Sequence, residues 1–73
     1  MILKVGEIWE AKSYYAGYRC VVIIPFIQER EDIIFCKILK SEDYTLEDHL
    51  GIFRIEDFIR KIPNEESMKY FLL

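Results

Sequence analysis

Val5-Gly6-Glu7-Ile8-Trp9-Glu10-Ala11 sets three apolar side chains, Val5, Ile8 and Trp9, directly ahead of an aromatic, loop-like segment and then the apolar run at 21–26. A strand, a loop and a β-branched strand in that order open a small antiparallel barrel. Working outward, residues 5–11 form the first predicted strand, with Gly6 where a bend or a close backbone approach is tolerated. Residues 12–18 carry Tyr14, Tyr15, Tyr18 and the pair Ala16-Gly17, and read as a loop. Residues 19–26 form the second strand. Its run Cys20, Val21, Val22, Ile23, Ile24 is apolar without alternation, which predicts a central position with both faces covered, and Pro25 ends it or marks an edge.

Gln28-Glu29-Arg30-Glu31-Asp32 is a charged turn without Gly or Asn, so the next connection is a loop of several residues. The third predicted strand, 33–40, puts Ile34, Cys36 and Ile38 on one face and Ile33, Phe35, Lys37 and Leu39 on the other. An acidic connection at 41–48 leads to a fourth strand at 49–54. Ile55, Phe58, Ile59 and Ile62 then recur at helical spacing and predict a two-turn helix over 55–62, stopped by Pro63-Asn64. The expectation is therefore a mainly all-β domain, an antiparallel barrel of four to five strands with one short late helix. Its expected core is Val5, Ile8, Val22, Ile24, Ile34, Cys36, Ile38, Ile52, Phe58 and Ile62. The apolar ending Met68, Tyr70, Phe71, Leu72, Leu73 is expected to cover Ile33, Phe35 and Leu39 or to join two copies in a homodimer.

Length and charge narrow the function. Seventy-three residues make a single domain, 1–73, and a chain of this size buries roughly 60% of the surface it exposes when unfolded. An apolar content of 52% with 15% aromatic residues is enough for one core without a metal or a disulfide framework. Ten basic against thirteen acidic residues leave a net charge of -3, which disfavours nucleic acid as a partner. No apolar run is long enough to span a bilayer, and the first residues do not form a secretory signal, so a cytoplasmic location is expected. Cys20 and Cys36 each lie inside an apolar run and read as buried, reduced thiols on adjacent strands.

The order Val5-Gly6-Glu7-Ile8-Trp9, then Gly17-Tyr18-Arg19-Cys20-Val21-Val22-Ile23-Ile24, then Ile55-Glu56-Asp57-Phe58, resembles the SH3-like barrel in its small bacterial and phage-borne versions. Roughly the first 26 residues are also similar to the MazF/PemK-type ribonuclease toxins. The toxin resemblance implies Glu7 for the acidic residue after the first glycine and Arg19 for the arginine beside the scissile phosphate, with Lys12 and Lys37 assisting. Cys20 stands where that family carries proline.

No catalytic constellation is legible. His49 follows Glu47 and Asp48, but a lone histidine after an acidic loop reads as a strand-end residue rather than half of an acid/base pair. Glu42, Asp43, Glu47 and Asp48 lack the spacing of a calcium loop and read as a solvated connection, and no other metal or cofactor motif is present. The aromatic set is the candidate site. Trp9, Tyr14, Tyr15 and Tyr18 lie within ten residues, and a loop folding back beside the first strand would gather them on one rim with Arg19. Trp9 serves equally as a core side chain. The expected function is a non-catalytic module that binds a protein partner through this rim. The alternative is a degenerate toxin-like ribonuclease or an RNA-binding barrel.

Overall fold

β-Branched or aromatic residues recur in every strand that forms. The computed structural model describes residues 3–13, 17–26, 28–30 and 32–68. Its strands are β1 (Ile8–Lys12), β2 (Arg19–Ile23), β3 (Ile34–Ser41), β4 (Leu50–Phe53) and β5 (Phe58–Lys61), followed by one short helix, α1 (Asn64–Ser67). They form one antiparallel sheet in the order β4-β3-β2-β1-β5, so the first four strands run as a meander and the fifth returns beside the first. The predicted central strand is central, but its outward face is not fully covered: Val21 and Ile23 are half-buried and Arg19 is exposed. The register skips between Glu10 and Ala11 against β5, and between Val21 and Val22 against β3. Such irregularities increase local twist and curl the sheet over its core.

Alternation decides which side chains the curl encloses. Ala11, Cys20, Val22, Ile24, Ile34, Cys36, Ile38 and Phe53 make one buried cluster, with Trp9, Leu46, Ile55 and Phe58 packed against it. Ile8 and Ile62 are also buried, outside that cluster, and the Ile62 N–H donates to the Ile8 carbonyl. Full burial of a side chain such as Phe53 stabilises the fold by about 1.5–3 kcal/mol. Seven of the expected core residues are buried: Ile8, Val22, Ile24, Ile34, Cys36, Ile38 and Ile62. Phe58 is half-buried, its ring 5.7 Å from Trp9 and 6.1 Å from Phe53.

Val5 is exposed, because Gly6 (φ 89°) turns the chain and donates its N–H to the Ile24 carbonyl before β1 begins. Ile52 is also exposed, and Phe53 takes the core position. The pairing Ile34↔Phe53 and Cys36↔Gly51 gives β4 the opposite parity from the one expected, and a change of parity exchanges the two faces.

The expected helix over 55–62 does not form. Ile55–Asp57 is a single 3-10 turn, held by the Arg54 N–H donating to Asp57 Oδ2 at 2.9 Å, and the chain then extends as β5. An isolated two-turn helix is marginal in water, whereas β1 offers an edge of unsatisfied backbone groups that residues 58–61 pair. Pro63, expected to stop a helix, instead precedes α1 with φ -62°, the angle that suits a helix start. β2 ends at Ile23, ahead of Pro25, although Ile24 still donates its N–H to the Glu7 carbonyl. Cys20 and Cys36 are buried free thiols on the adjacent strands β2 and β3, as expected. The apolar ending beyond Met68 lies outside the described residues.

Candidate functional site

The expected rim divides between the two faces of the sheet. Trp9 pairs with Val22, whose side chain is fully buried, so Trp9 leans on the core. There its indole N–H donates to Glu7 Oε1 at 3.4 Å and its ring meets Phe58 edge to face at 79°. Arg19 has the opposite parity from the buried Cys20 and projects from the outer face, where it pairs with Glu10 at 3.4 Å. Tyr18 is exposed; its carbonyl accepts the Ser13 N–H at 2.7 Å, closing the base of the loop with Gly17 at φ 70°. Tyr14 and Tyr15 lie outside the described residues. The structure therefore keeps Tyr18 and Arg19 adjacent in the chain and sets Trp9 apart from Arg19.

The residues of the toxin resemblance stay separate. Glu7 stands opposite Ile24, and Arg19 lies five residues further along β2, about 16 Å at a strand rise of ~3.3 Å per residue. Each carboxylate already has partners. Burial raises the proton affinity of Glu7, but the Lys4 N–H, the Lys61 ammonium at 3.0 Å and the Trp9 N–H outweigh it and hold the carboxyl below its usual range. Glu10 binds Arg19 through one oxygen and Arg60 at 3.1 Å through the other. Arg60 in turn reaches Glu66 at 2.9 Å, and these two carboxylates push its proton affinity up.

A shallow depression of about 330 Å³ on the outer face is lined by Glu10, Arg19, Val21, Lys40 and Glu42, with Cys20 and Ser41 beneath. Its charges cancel. Burial raises the Cys20 thiol above its ordinary value, the Glu42 charge adds to that, and the Ser41 hydroxyl at 3.5 Å only offsets part of it. Burial alone pushes Cys36 up to about 12. Both sulfurs are protonated at neutral pH, the wrong state for a nucleophile. Glu47 accepts the Ser41 N–H at 3.3 Å. Among the described residues, no three of His, Cys, Asp and Glu gather as a metal site. The chain matches no family model, no curated protein and no solved structure.

The β3–β4 end holds the apolar outer face that the sequence put at Phe35, joined by Ile52 and Leu50, which the sequence reading missed. Phe35 and Ile52 stand opposite each other, 39% and 43% exposed, and Leu50, opposite Lys37, is 60% exposed. Gln28 donates to the Phe35 carbonyl at 3.0 Å and accepts its N–H at 3.2 Å, so its side-chain amide satisfies the backbone that β2 is too short to reach. Phe35 and Ile52 are consequently a pair without mutual backbone hydrogen bonds, the closer of the two antiparallel pairings. Phe26, also exposed, borders the same end of the sheet, where it and Phe35 flank a depression of about 350 Å³. For Ile52 the parity of β4 was the signal, and the sequence leaves it ambiguous because both Ile52 and Phe53 are apolar.

Proposed function

We propose that this domain is a non-catalytic binding module, an SH3-like adaptor or inhibitor that engages a protein partner in the cytoplasm. One observation carries the reading: Phe26, Phe35, Leu50 and Ile52, four large apolar side chains, are exposed together at one end of the sheet. A monomeric protein gains nothing from wetting such a group, and apolar patches rimmed by polar residues mark interaction surfaces. The meander with β5 returned to β1 supports the comparison with SH3-like barrels. Two buried free thiols favour a reducing compartment, and among the described residues no helix is long and apolar enough to cross a membrane. Among the described residues, Tyr18 and Arg19 are the part of the sequence-based rim exposed for contact.

The test is capture from the native host with wild-type protein and with Phe35→Glu, which changes an exposed side chain. A partner retained by the wild type and lost by the variant supports the module. Equal capture by both, or cleavage of single-stranded RNA that Arg19→Ala abolishes, overturns it.

A further inference from the structure

The two edges of the sheet are defended differently. β5, Phe-Ile-Arg-Lys, carries Arg60 and Lys61, and charged side chains of this kind discourage a further strand from pairing. β4, Leu-Gly-Ile-Phe, carries no charge, no proline and no bulge, and among the described residues no strand pairs its far side. Ile38 donates to the His49 carbonyl and accepts the Asp48 N–H, so the residues of β3 that bond toward β4 are 34, 36 and 38. Alternation then leaves the N–H and C=O groups of Leu50 and Ile52 pointing away from the sheet.

Beside this edge lies a cleft of about 250 Å³ lined by Ile38, Leu46, His49, Leu50, Ile52 and Phe53. The segment that carries β4 is acidic, with Lys37, opposite Leu50, and Lys40 as the cations of the neighbouring strand β3. Residues 41–57 hold six carboxylates, Glu42, Asp43, Glu47, Asp48, Glu56 and Asp57, against one arginine, and the rest of the chain holds seven carboxylates against nine cations. Arg54 is itself bound to Glu56 at 3.4 Å and Asp57 at 3.3 Å. The negative excess of the chain thus lies in the segment that leads into and out of its undefended edge.

We propose that β4 is a docking edge for an extended cationic segment of a partner protein, added as a sixth strand through the backbone of Leu50 and Ile52. This deepens the binding-module reading and rests on it. Strand addition supplies main-chain hydrogen bonds for affinity and side-chain pockets for selectivity. The cleft accepts one apolar side chain of the segment, and lysine or arginine on either side of it meets the carboxylates. A second copy pairing β4 to β4 would set the same negative excess against itself, and nucleic acid would meet repulsion.

The probe is a fluorescently labelled peptide of alternating lysine and valine, with its glutamate–valine counterpart as control. Fluorescence anisotropy is expected to show the lysine peptide binding at least about tenfold more tightly. Amide exchange is expected to show Leu50 and Ile52 protected in the complex and exchanging rapidly without it. Ile52→Lys blunts the edge at an exposed position and is expected to weaken binding about tenfold, with Leu50→Lys as the second variant should the first unfold.

Equal binding of the two peptides, binding without protection of Leu50 and Ile52, or no binding of either overturns the proposal. So does a dimer in sedimentation velocity that Ile52→Lys dissolves, because the edge then belongs to a second copy. Host-partner capture that is lost in Phe35→Glu yet indifferent to Ile52→Lys sinks the edge alone and leaves the module reading standing.

Discussion

Gly51→Ala is expected to destabilise the domain, against the usual direction for a glycine inside a strand. Glycine there ordinarily costs about 0.5–1 kcal/mol relative to alanine, because its backbone loses more freedom on folding. At this position a Cβ would stand 2.9 Å from Phe53 Cε2 and 3.0 Å from Ile38 Cδ1, well inside the ~3.5–4.0 Å at which carbon atoms attract. The Ile38 methyl can swing aside. The Phe53 ring cannot do so freely, since it is 1% exposed and already in contact with Phe58.

Forcing one carbon into this contact costs about 1–3 kcal/mol, which matches or exceeds the backbone gain and leaves a net loss of roughly 0–2.5 kcal/mol. For a domain of this length that lowers the melting temperature by up to about 20 °C. Thermal and urea unfolding followed by circular dichroism measure it. The decisive comparison is the double variant: with Phe53→Leu in place the ring is gone, and Gly51→Ala is then expected to be neutral or stabilising. A stabilising effect of Gly51→Ala in the wild-type background would refute the packing argument.

Three further outcomes follow from the described contacts. Cys36 keeps its proton up to about 12 when folded and releases it near the ordinary thiol value of 9.0 when unfolded, so the native state binds more protons between those limits. Stability should therefore fall as pH rises from 9.0 toward 12, by at most about 1.4 kcal/mol per pH unit, and urea titrations of Cys36→Ala should lack that component. Glu7 behaves oppositely: its lowered folded proton affinity contributes stability above the usual carboxylate range that is lost as pH falls. Glu7→Gln should thus be less stable than wild type at neutral pH, with the gap closing in acid; a pH-independent gap would count against the Lys61 and Lys4 contacts. Asp48 adopts φ 70°, which aspartate tolerates and a β-branched residue does not, so Asp48→Val should cost about 1–2 kcal/mol in thermal unfolding while Asp48→Gly should not.

The apolar run at 20–24, the alternation of Ile34, Cys36 and Ile38, and the positions of both thiols were legible because buried strands show in the order of residues, as a continuous apolar run or as a period of two. Two other segments were not. Ile55, Phe58, Ile59 and Ile62 satisfy helical spacing, and only the open edge of β1, contributed by residues some fifty positions earlier, makes an extended strand the better satisfied state for residues 58–61. Ile52 and Phe53 are neighbours of equal apolarity, so the choice of which faces the core belongs to the register with Ile34 and Cys36. The candidate sites divide along the same line. Clustering in sequence put Trp9, Tyr18 and Arg19 together, but pairing sends Trp9 and Arg19 to opposite faces of the sheet. The undefended edge at β4 exists only in the folded sheet, because whether a strand has one neighbour or two is a property of topology, not of its own four residues.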